Sequence, residues 1–343
     1  MKDSINTGIT KIGVVGAGSW GTALADLLAK KGFAVDLWVF EPEVCRQIAE
    51  QRANKLFLPG VLLSENLRPS NDFAGVVADK DLVLIVVPSH VMRETTLKMA
   101  SFLGSETTLV TASKGIENKT HLTMSGILHE TLPGLDESHL AVLSGPSFAK
   151  EVAADVPTLV TVASKNKATA GFVQQIFATP YFRVYSSDDV IGVELGGAVK
   201  NVIAIASGII DGLGLGLNTR AALITRGLVE IQRLGLTLGG NPHTFAGLAG
   251  AGDLILTCTG SLSRNYTVGR KIGRGMTLKQ ILSEMHMVAE GVKTTRSVYN
   301  LSRKLDVEMP ISHEIYHVLY DNEDPGKAVK RLMTRNLRQE FDP

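Results

Sequence analysis

The chain has 343 residues, 44% of them apolar, which is too long for one ordinary hydrophobic core and suits two domains. Its 35 basic and 34 acidic residues leave a net charge of +1, so we expect neither a nucleic-acid partner nor a membrane-surface partner. The two cysteines lie far apart, and we recognise no secretion signal and no charge-free apolar run of membrane-spanning length, so we predict a cytoplasmic protein with no membrane insertion, no disulfide framework and no metal site.

The first predicted strand, residues 12–15, ends in a glycine turn with the spacing G-x-G-x-x-G, formed by Gly16, Gly18 and Gly21. Gly16 permits a tight turn, Gly18 lets the backbone approach a pyrophosphate, and Gly21 lets the following helix pack closely on the strand. The N–H groups at the start of that helix would hold the phosphates. A position between a strand and a helix indicates a dinucleotide site; the alternative is an ordinary structural turn.

A second strand is predicted over residues 34–40, and Glu41 follows it, about twenty residues after the last glycine of the turn. At this distance a carboxylate commonly contacts the adenine ribose of a dinucleotide. Alternatively, Glu41 only leads into the next helix, with Pro42 in the first turn of that helix.

Strands and helices continue to alternate along the first half of the chain. This order is typical of a mostly parallel, doubly wound sheet, so we predict a Rossmann-like α/β domain over residues 1–188. The loops 88–90, 113–115 and 144–147 each follow a strand and should gather beside the glycine turn at one edge of the sheet. The further predicted strands cover residues 81–87, 107–112, 140–143, 158–163 and 182–185.

Beyond residue 188 strands are hard to find, and the pattern favours helices. We therefore predict an all-helical second domain over residues 189–343. Its predicted helices cover residues 190–217, 220–234, 263–273, 278–285, 291–305 and 312–320.

Lys200 is a cation within the long apolar helix predicted over residues 190–217. Its neighbours one turn away, Gly196, Gly197 and Ala204, are small, so we expect space around the side chain for a ligand. A dry environment would lower the pKa of the amine and suit it to proton transfer. The alternative is a lysine that extends to the surface.

Two more charged residues are candidates for the same site. Asp253 follows a glycine-rich loop and enters an apolar run, where a carboxylate needs a partner such as a lysine amine; alternatively it caps a helix. Arg264 opens a predicted helix together with Ser263 and Asn265, and a guanidinium beside helix-start N–H groups can hold a phosphate. The alternative for Arg264 is a solvated surface arginine.

Taken together, these motifs resemble the NAD(P)-dependent glycerol-3-phosphate dehydrogenase family in its bacterial form, over nearly the whole chain. Each motif is weak alone, whereas all six in this order are highly specific. The motifs are Gly16-Ala17-Gly18-Ser19-Trp20-Gly21, Ser113-Lys114-Gly115, Ser144-Gly145-Pro146-Ser147-Phe148-Ala149, Gly197-Ala198-Val199-Lys200-Asn201, Gly250-Ala251-Gly252-Asp253 and Ser263-Arg264-Asn265.

The resemblance implies reversible conversion of sn-glycerol 3-phosphate and NAD(P)+ to dihydroxyacetone phosphate and NAD(P)H, with a cofactor that is not covalently bound. It implies that Lys200 transfers the proton, that Asp253 orients it, and that Lys114 lies near both cofactor and substrate. It also implies a homodimer that supplies glycerol 3-phosphate for phospholipid synthesis. The positions that match substrate contacts are Lys114, Gly145, Ser147, Lys200, Asn201, Asp253, Ser263, Arg264 and Asn265. The cofactor positions are Gly16, Gly18, Ser19, Trp20, Gly21, Phe40, Glu41, Lys114, Ala149, Arg264, Val288 and Glu290.

Two other functions remain open at this point. A related β-hydroxyacid or 6-phosphogluconate-type dehydrogenase would share the two domains and a catalytic lysine on a helix of the second. A non-catalytic NAD(P)H sensor would keep the glycine turn but lose Lys200 or Asp253, and this sequence keeps both. Because Phe40 occupies a position that varies in the family, the choice between NAD and NADP is also open.

Overall fold

The computed structural model describes residues 11–285 and 289–340, and its first half is built on one eight-stranded sheet. Within the sheet the strands lie in the order β3-β2-β1-β4-β5-β6-β7-β8. The strands are β1 (Lys11–Val15), β2 (Ala34–Trp38), β3 (Leu67–Ser70), β4 (Leu82–Ile85), β5 (Thr108–Thr111), β6 (Leu140–Ser144), β7 (Thr158–Ala163) and β8 (Phe182–Ser187).

Seven helices connect the strands, and the described residues after β8 form helices only. The connecting helices are α1 (Ser19–Lys30), α2 (Pro42–Gln51), α3 (Phe73–Val77), α4 (Met92–Met99), α5 (Met124–Thr131), α6 (Ala149–Ala153) and α7 (Lys167–Phe177). The later helices are α8 (Val190–Gly212), α9 (Gly216–Thr237), α10 (Pro242–Ala246), α11 (Asp253–Thr259), α12 (Arg264–Gly273), α13 (Leu278–Ser283), α14 (Glu290–Lys304), α15 (Pro310–Tyr320) and α16 (Pro325–Met333).

Helices cover both faces of the sheet. Along β4, Leu82 and Leu84 pack into the core under α1 and α7, whereas Val83 and Ile85 pack into the core under α3, α4 and α5. This alternation explains why β4 is apolar throughout. The first six strands of this order, from β3 at the edge to β6, are parallel to one another. The strand β7 is antiparallel to β6, and β8 is parallel to β7. The predicted fold class, a Rossmann-like domain followed by a helical region, is confirmed.

The strand β3 is missing from the predicted elements. It reads Leu67-Arg68-Pro69-Ser70 and lies at the edge of the sheet, where it pairs only with β2. An edge strand tolerates proline and charge, because one side needs no ladder hydrogen bonds. Its sequence therefore carries no continuous apolar signal. The short helices α3, α5 and α6 were likewise not predicted.

The helix α8 is shorter than predicted. It ends at Gly212, because Gly214 and Gly216 adopt positive φ angles of 71° and 80° that break the helical path before α9. α8 is long and apolar enough to cross a membrane, but its apolar window is entirely buried inside the protein. A separate hydrophobic core surrounds it, formed largely by α8, α9, α12, α14 and α15.

The reversal of β7 and β8 decides where α8 runs. Because β7 is antiparallel to β6, β8 ends at the edge where β6 begins, and α8 starts three residues after Ser187. Val190 and Val193 then pack with Val142 of β6. Ten further residues of helix advance about 15 Å, the length of a five-residue strand, which carries α8 to the carboxyl edge of the sheet.

Candidate active site

The carboxyl edge of the sheet collects the loops that the sequence predicted to meet there. In the register of the sheet Val15 pairs with Ile85, and Ile85 pairs with Thr111, so the loops after β1, β4 and β5 begin side by side. The loop after β6 follows next, and Gly197 of α8 lies against Ser144, the last residue of β6. The site is thus formed by strand-end loops on one side and helices on the other.

The carboxylate of Asp253 joins two lysines from different parts of the chain. Its Oδ1 accepts a hydrogen bond from Lys200 Nζ at 2.5 Å, and its Oδ2 accepts one from Lys114 Nζ at 2.8 Å. Asp253 is only 1% exposed, and Lys200 is 7% exposed. Asp253 therefore has the lysine partner that the sequence led us to expect, and Lys200 does not extend to the surface.

The pKa of Lys200 is lowered to about 8. Burial is the main cause, because it disfavours the ammonium form. The Asp253 carboxylate raises the pKa and so opposes burial, whereas the positive charge of Lys114 lowers it further. The amine can therefore gain and lose a proton near neutral pH, which an exposed lysine does not do.

Thr257 is a part of this cluster that the sequence analysis missed. Its hydroxyl accepts a hydrogen bond from Lys200 Nζ at 2.7 Å and donates one to the Asp253 carbonyl oxygen at 2.6 Å. Thr257 follows Asp253 by one turn of α11, so both side chains lie on the same side of the helix. That four-residue spacing is the signal that could have identified it.

The small residues near Lys200 do not leave space for a ligand, which corrects our expectation. A Cβ on Gly196 would lie 2.5 Å from the carbonyl oxygen of Ala249, and one on Gly197 would lie 2.5 Å from Ser144 Oγ. The two glycines instead let α8 pack against the loop before α11 and the end of β6. They bring the helix close enough for its lysine to reach Asp253.

The loop after β6 positions Lys114 from the other side. Lys114 Nζ donates a second hydrogen bond, 3.3 Å long, to the carbonyl oxygen of Gly145, and Ser147 Oγ donates to the same oxygen at 2.9 Å. Gly145 has a φ of 145°, and a Cβ there would lie 2.9 Å from Val160 Cα. The predicted substrate positions Gly145 and Ser147 thus lie beside Lys114.

Asn265 connects the elements that carry the remaining substrate positions. Its Nδ2 donates to Asn201 Oδ1 at 2.8 Å, and its Oδ1 accepts from the backbone N–H of Gly291 at 2.9 Å. The side chain is buried between α8, α12 and α14. Asn265 therefore fixes the start of α14 relative to α8.

Arg264 lies at the start of α12, where Ser263 caps the helix by accepting a hydrogen bond from the N–H of Tyr266. Solvent reaches the Arg264 side chain, yet the surrounding protein lowers the pKa of its guanidinium, and the charge of Glu290 opposes that shift. Because the Arg264 side chain is exposed and yet partly desolvated by its surroundings, it lies in the wall of a cleft. The helix start that the sequence predicted for Ser263 and Arg264 is present.

Glu290 joins this cleft to the sheet. Its Oε2 accepts a hydrogen bond from Ser89 Oγ at 2.5 Å, and Ser89 belongs to the loop after β4. Burial raises the pKa of the Glu290 carboxyl, while the contacts with Ser89 and the charge of Arg264 lower it. Ser89 was not predicted as a site residue, although it lies in a strand-end loop that was.

The glycine turn has the geometry that its spacing predicts. Gly16 has a φ of 113°, and a Cβ on Gly21 would lie 1.9 Å from the Gly16 carbonyl oxygen, so both positions require glycine. A Cβ on Gly18 would meet no atom within 4 Å, which leaves open space beside the turn. Asn54, another residue that the sequence analysis missed, supports the turn by donating to the Ala17 carbonyl oxygen at 2.9 Å.

Ser19, Trp20 and Ala149, which were also predicted to bind the cofactor, lie around this turn, and Phe40 and Glu41 lie just after β2. Ser19 Oγ donates to the carbonyl oxygen of Phe57, and Ala149 packs with Trp20 on the same small core. Phe40 is 74% exposed, and Glu41 precedes α2, which begins at Pro42. Val288 lies outside the described residues.

Family models match both halves of the chain. Residues 11–170 match a model described as NAD-dependent glycerol-3-phosphate dehydrogenase N-terminus, and residues 189–330 match the corresponding C-terminus. A protein named glycerol-3-phosphate dehydrogenase [NAD(P)+] from Citrifermentans bemidjiense is 58% identical over 330 residues, which cover 96% of this chain and 98% of that protein. One of the same name from Syntrophobacter fumaroxidans is 56% identical over 96% of this chain and 97% of its own length.

A solved structure shows the same likeness. The crystal structure of a glycerol-3-phosphate dehydrogenase from Coxiella burnetii superimposes with a TM-score of 0.92 at 40% identity. The superposition covers 95% of this chain and 99% of that one.

Proposed function

Because the chain belongs to the NAD-dependent glycerol-3-phosphate dehydrogenase family, we propose that its buried Lys200–Asp253 pair carries out the proton transfer of that family's reaction. The protein is an oxidoreductase that interconverts sn-glycerol 3-phosphate and dihydroxyacetone phosphate with NAD(P)+ or NAD(P)H. The glycerol-3-phosphate dehydrogenase activity that the resemblance implied is therefore confirmed. The residues that perform it are proposed below.

The observation that carries the proposal is the contact of one buried carboxylate with two lysines. When bound, the nicotinamide accepts or supplies the hydride. In the oxidation, neutral Lys200 takes the proton of the reacting hydroxyl; in the reduction, its ammonium form returns that proton to the new alkoxide. A pKa of about 8 makes both forms available near neutral pH.

Asp253 and Thr257 hold the Lys200 amine in one direction, since both contact Nζ within 2.7 Å. Lys114 lies at the opposite oxygen of the same carboxylate, 2.8 Å away. Its positive charge keeps the pKa of Lys200 low, and we propose that it also stabilises the negative charge that develops on the substrate oxygen. Gly145 and Ser147 adjoin Lys114 and complete this side of the substrate site.

Replacement of the proposed acid–base group tests the assignment. Lys200→Ala should lower turnover by at least about a hundredfold, the usual contribution of a positioned acid–base residue. Binding of NADH, measured by fluorescence titration, should survive because the glycine turn is unchanged. Lys271→Ala serves as the control, because it removes a partly exposed lysine of α12 that pairs with Glu284. Near-normal turnover of Lys200→Ala would contradict the proposal.

We propose that Arg264 binds the phosphate of the substrate, with Asn265 and the start of α12 assisting. The chain has a net charge of only +1, so a dianionic substrate needs a local cation. Ser263 already caps the helix and Asn265 already joins Asn201 to Gly291, which leaves the forked guanidinium as the main phosphate ligand. The phosphate is remote from the reacting carbon, so this contact supplies binding and orientation.

Two substrates distinguish this role from a structural one. Arg264→Ala should reduce kcat/KM for dihydroxyacetone phosphate by more than about tenfold, since a hydrogen bond to a charged group contributes about 1.5–3 kcal/mol. The poor activity on dihydroxyacetone, which has no phosphate, should hardly change. Arg274→Ala, at the other end of α12, is the matched control. Equal losses on both substrates would show that Arg264 acts on the cofactor or on folding.

The glycine turn fits a dinucleotide. Gly18 has open space where a pyrophosphate would approach, and among residues 11–285 and 289–340 no side chain caps the first turn of α1. The indole N–H of Trp20 is buried and has no partner in the same ranges, so it is free to donate to a ligand. We propose that Ser19, Trp20 and Ala149 bind the cofactor here, and that Lys114, Arg264 and Glu290 approach it from the helical side.

We propose that the enzyme selects only weakly between NAD and NADP. Glu41 would repel a 2′-phosphate if its carboxylate faced the adenine ribose. It also precedes Pro42 at the start of α2, which ties it to the helix, and the neighbouring Phe40 is exposed. We therefore propose that both cofactors are used, at a site that includes Phe40 and Glu41.

The division of the chain at residue 188 is also a proposal. It is supported by the separate cores of the sheet and of the helices and by the start of the second family match at residue 189. We further propose a cytoplasmic homodimer that supplies glycerol 3-phosphate for phospholipid synthesis. Size-exclusion chromatography with light scattering tests the dimer, and glycerol 3-phosphate dependence of a deletion strain tests the supply.

A further inference from the structure

A cavity lies in the helical half of the protein, away from the candidate active site. Its volume is about 470 Å³, within the range of small-molecule sites. The cavity lies between α9, α15, α16 and the last turns of α8, and Lys200, Asp253 and Arg264 do not line it. Its apolar wall includes Ala206, Ile209 and Ile210 of α8, Leu223 of α9 and Val318 of α15. An aliphatic group would be buried there.

The polar part of the wall carries more positive than negative charge. Arg233, Arg335 and Arg338 all pair with the single carboxylate of Glu308, and Arg338 Nη1 lies 2.6 Å from it. Arg226 donates to the backbone carbonyl of Glu340, which neutralises no charge. Arg335 and Arg338 are partly exposed, so these guanidiniums lie at the opening of the cavity.

The other two carboxylates of the wall do not compensate this excess. Glu314 forms a two-pronged pair with Arg331, which does not line the cavity. Glu230 is buried, and each of its two carboxylate oxygens already accepts a hydrogen bond, one from the N–H of Ile311 and one from the N–H of Ser312. The arginines around Glu308 therefore remain able to bind an added anion.

We propose that this cavity binds a single-chain amphiphile, with its alkyl chain among the α8, α9 and α15 side chains and its anionic head on Arg335 and Arg338. Both a carboxylate and a phosphate head fit the forked guanidiniums. A second copy of this chain fits less well. A two-fold contact would place the same cationic opening against itself, and like charges would repel across the interface.

Dodecanoate, below its micellar concentration, is the probe. Equilibrium dialysis of the whole enzyme with radiolabelled dodecanoate should show saturable binding of one molecule per chain. Dodecanol and dodecylammonium share the chain but not the negative charge, and each should bind at least about tenfold more weakly, which corresponds to about 1.4 kcal/mol. Dodecyl phosphate shows which head is preferred: tighter binding than dodecanoate identifies a phosphate site, and weaker binding identifies a carboxylate site.

Two neighbouring residues of α9 locate the binding. Both Ala221 and Ala222 are exposed to solvent, but only Ala222 lines the cavity. Ala222→Trp should weaken dodecanoate binding by more than about tenfold, and Ala221→Trp should leave it unchanged. Circular dichroism confirms that both variants fold. Arg335→Gln with Arg338→Gln should keep binding of the chain but abolish the preference for an anion over dodecanol.

Several results would overturn the proposal. Absence of saturable dodecanoate binding, or equal binding by Ala221→Trp and Ala222→Trp, would show that the cavity does not bind the amphiphile. Equal affinity for dodecanol and dodecanoate in the unaltered enzyme would show that the arginines do not bind the anionic head. Sedimentation that shows dissociation of a dimer by Ala222→Trp but not by Ala221→Trp would identify the cavity as a subunit interface instead.

Discussion

Two helices of the second half begin beside a buried carboxylate, and the two carboxylates have different partners. Asp253, the first residue of α11, is 1% exposed and contacts the amines of Lys200 and Lys114. Glu230 is 2% exposed and accepts hydrogen bonds from two backbone N–H groups and the hydroxyl of Ser312 at the start of α15. Burial is nearly the same in both places.

The difference lies in where a proton can move. Beside Asp253 the exchangeable proton is on Lys200, whose pKa is lowered to about 8, and this amine is the one proposed to exchange a proton with the substrate hydroxyl. Burial raises the pKa of Glu230 to about 7, but the neutral donors around it belong to a helix start and hold the fold together. A perturbed pKa therefore marks a catalytic group only when the titrating atom also faces a reactant.

Matched amide substitutions give the largest expected contrast between the two regions. Asp253→Asn removes the negative charge that holds both lysines and should lower turnover roughly ten- to a hundredfold, which is less than the loss of the acid–base group itself. Glu230→Gln keeps an acceptor at the start of α15 and should change turnover less than about twofold. Steady-state kinetics with dihydroxyacetone phosphate and NADH compare the two, and similar losses would show that Glu230 also acts on the reaction.

The pH profiles of oxidation and reduction should be opposite if Lys200 carries the transferred proton. Oxidation needs neutral Lys200, so kcat/KM should rise by about tenfold per pH unit toward pH 8 and then level off. Reduction needs the ammonium form and should decline above about pH 8. In Asp253→Asn the inflection should move to lower pH, since the lost carboxylate raises the pKa of Lys200. An unchanged inflection would contradict the coupling.

The pH dependence of stability should report Glu230. The pKa of Glu230 is raised from 4.5 to about 7 in the folded protein, so the folded state binds the proton more tightly and loses stability as the pH rises through about 7. Between pH 5 and pH 8 the unaltered protein should lose about 2.5 kcal/mol relative to Glu230→Gln, because stability falls by about 1.4 kcal/mol per pH unit until the pH passes the folded-state pKa of about 7. Urea unfolding at both pH values measures this, and parallel pH slopes would contradict it.

The fold was predictable where the local pattern reflects burial. β4 is apolar because both faces are covered, and β7 was predicted with the bounds that it has. β3 was not predictable, because an edge strand with Pro69 carries no apolar run. The end of α8 depends on positive φ angles at Gly214 and Gly216, which a window of hydropathy does not report.

The site was predictable only in part. Asp253 and Lys200 stand out as charges in apolar segments, and Ser263 and Arg264 stand at the start of a predicted helix. Thr257 carries no charge and does not stand out in an apolar helix, so only its four-residue spacing from Asp253 could have indicated it. The space expected around Gly196 was wrong for a physical reason: a missing side chain invites close packing by a neighbouring backbone as readily as it admits a ligand.

The bridge formed by Asp253 has a consequence for motion between the two halves. Lys200 and Asp253 belong to helices of the second half, whereas Lys114 follows a strand of the first. If the halves moved apart, Lys200 would lose the neighbouring charge of Lys114 and regain contact with water, and both changes would strengthen its hold on a proton. Opening would thus be coupled to proton uptake and closure to proton release, so that a more alkaline solution would favour the closed form.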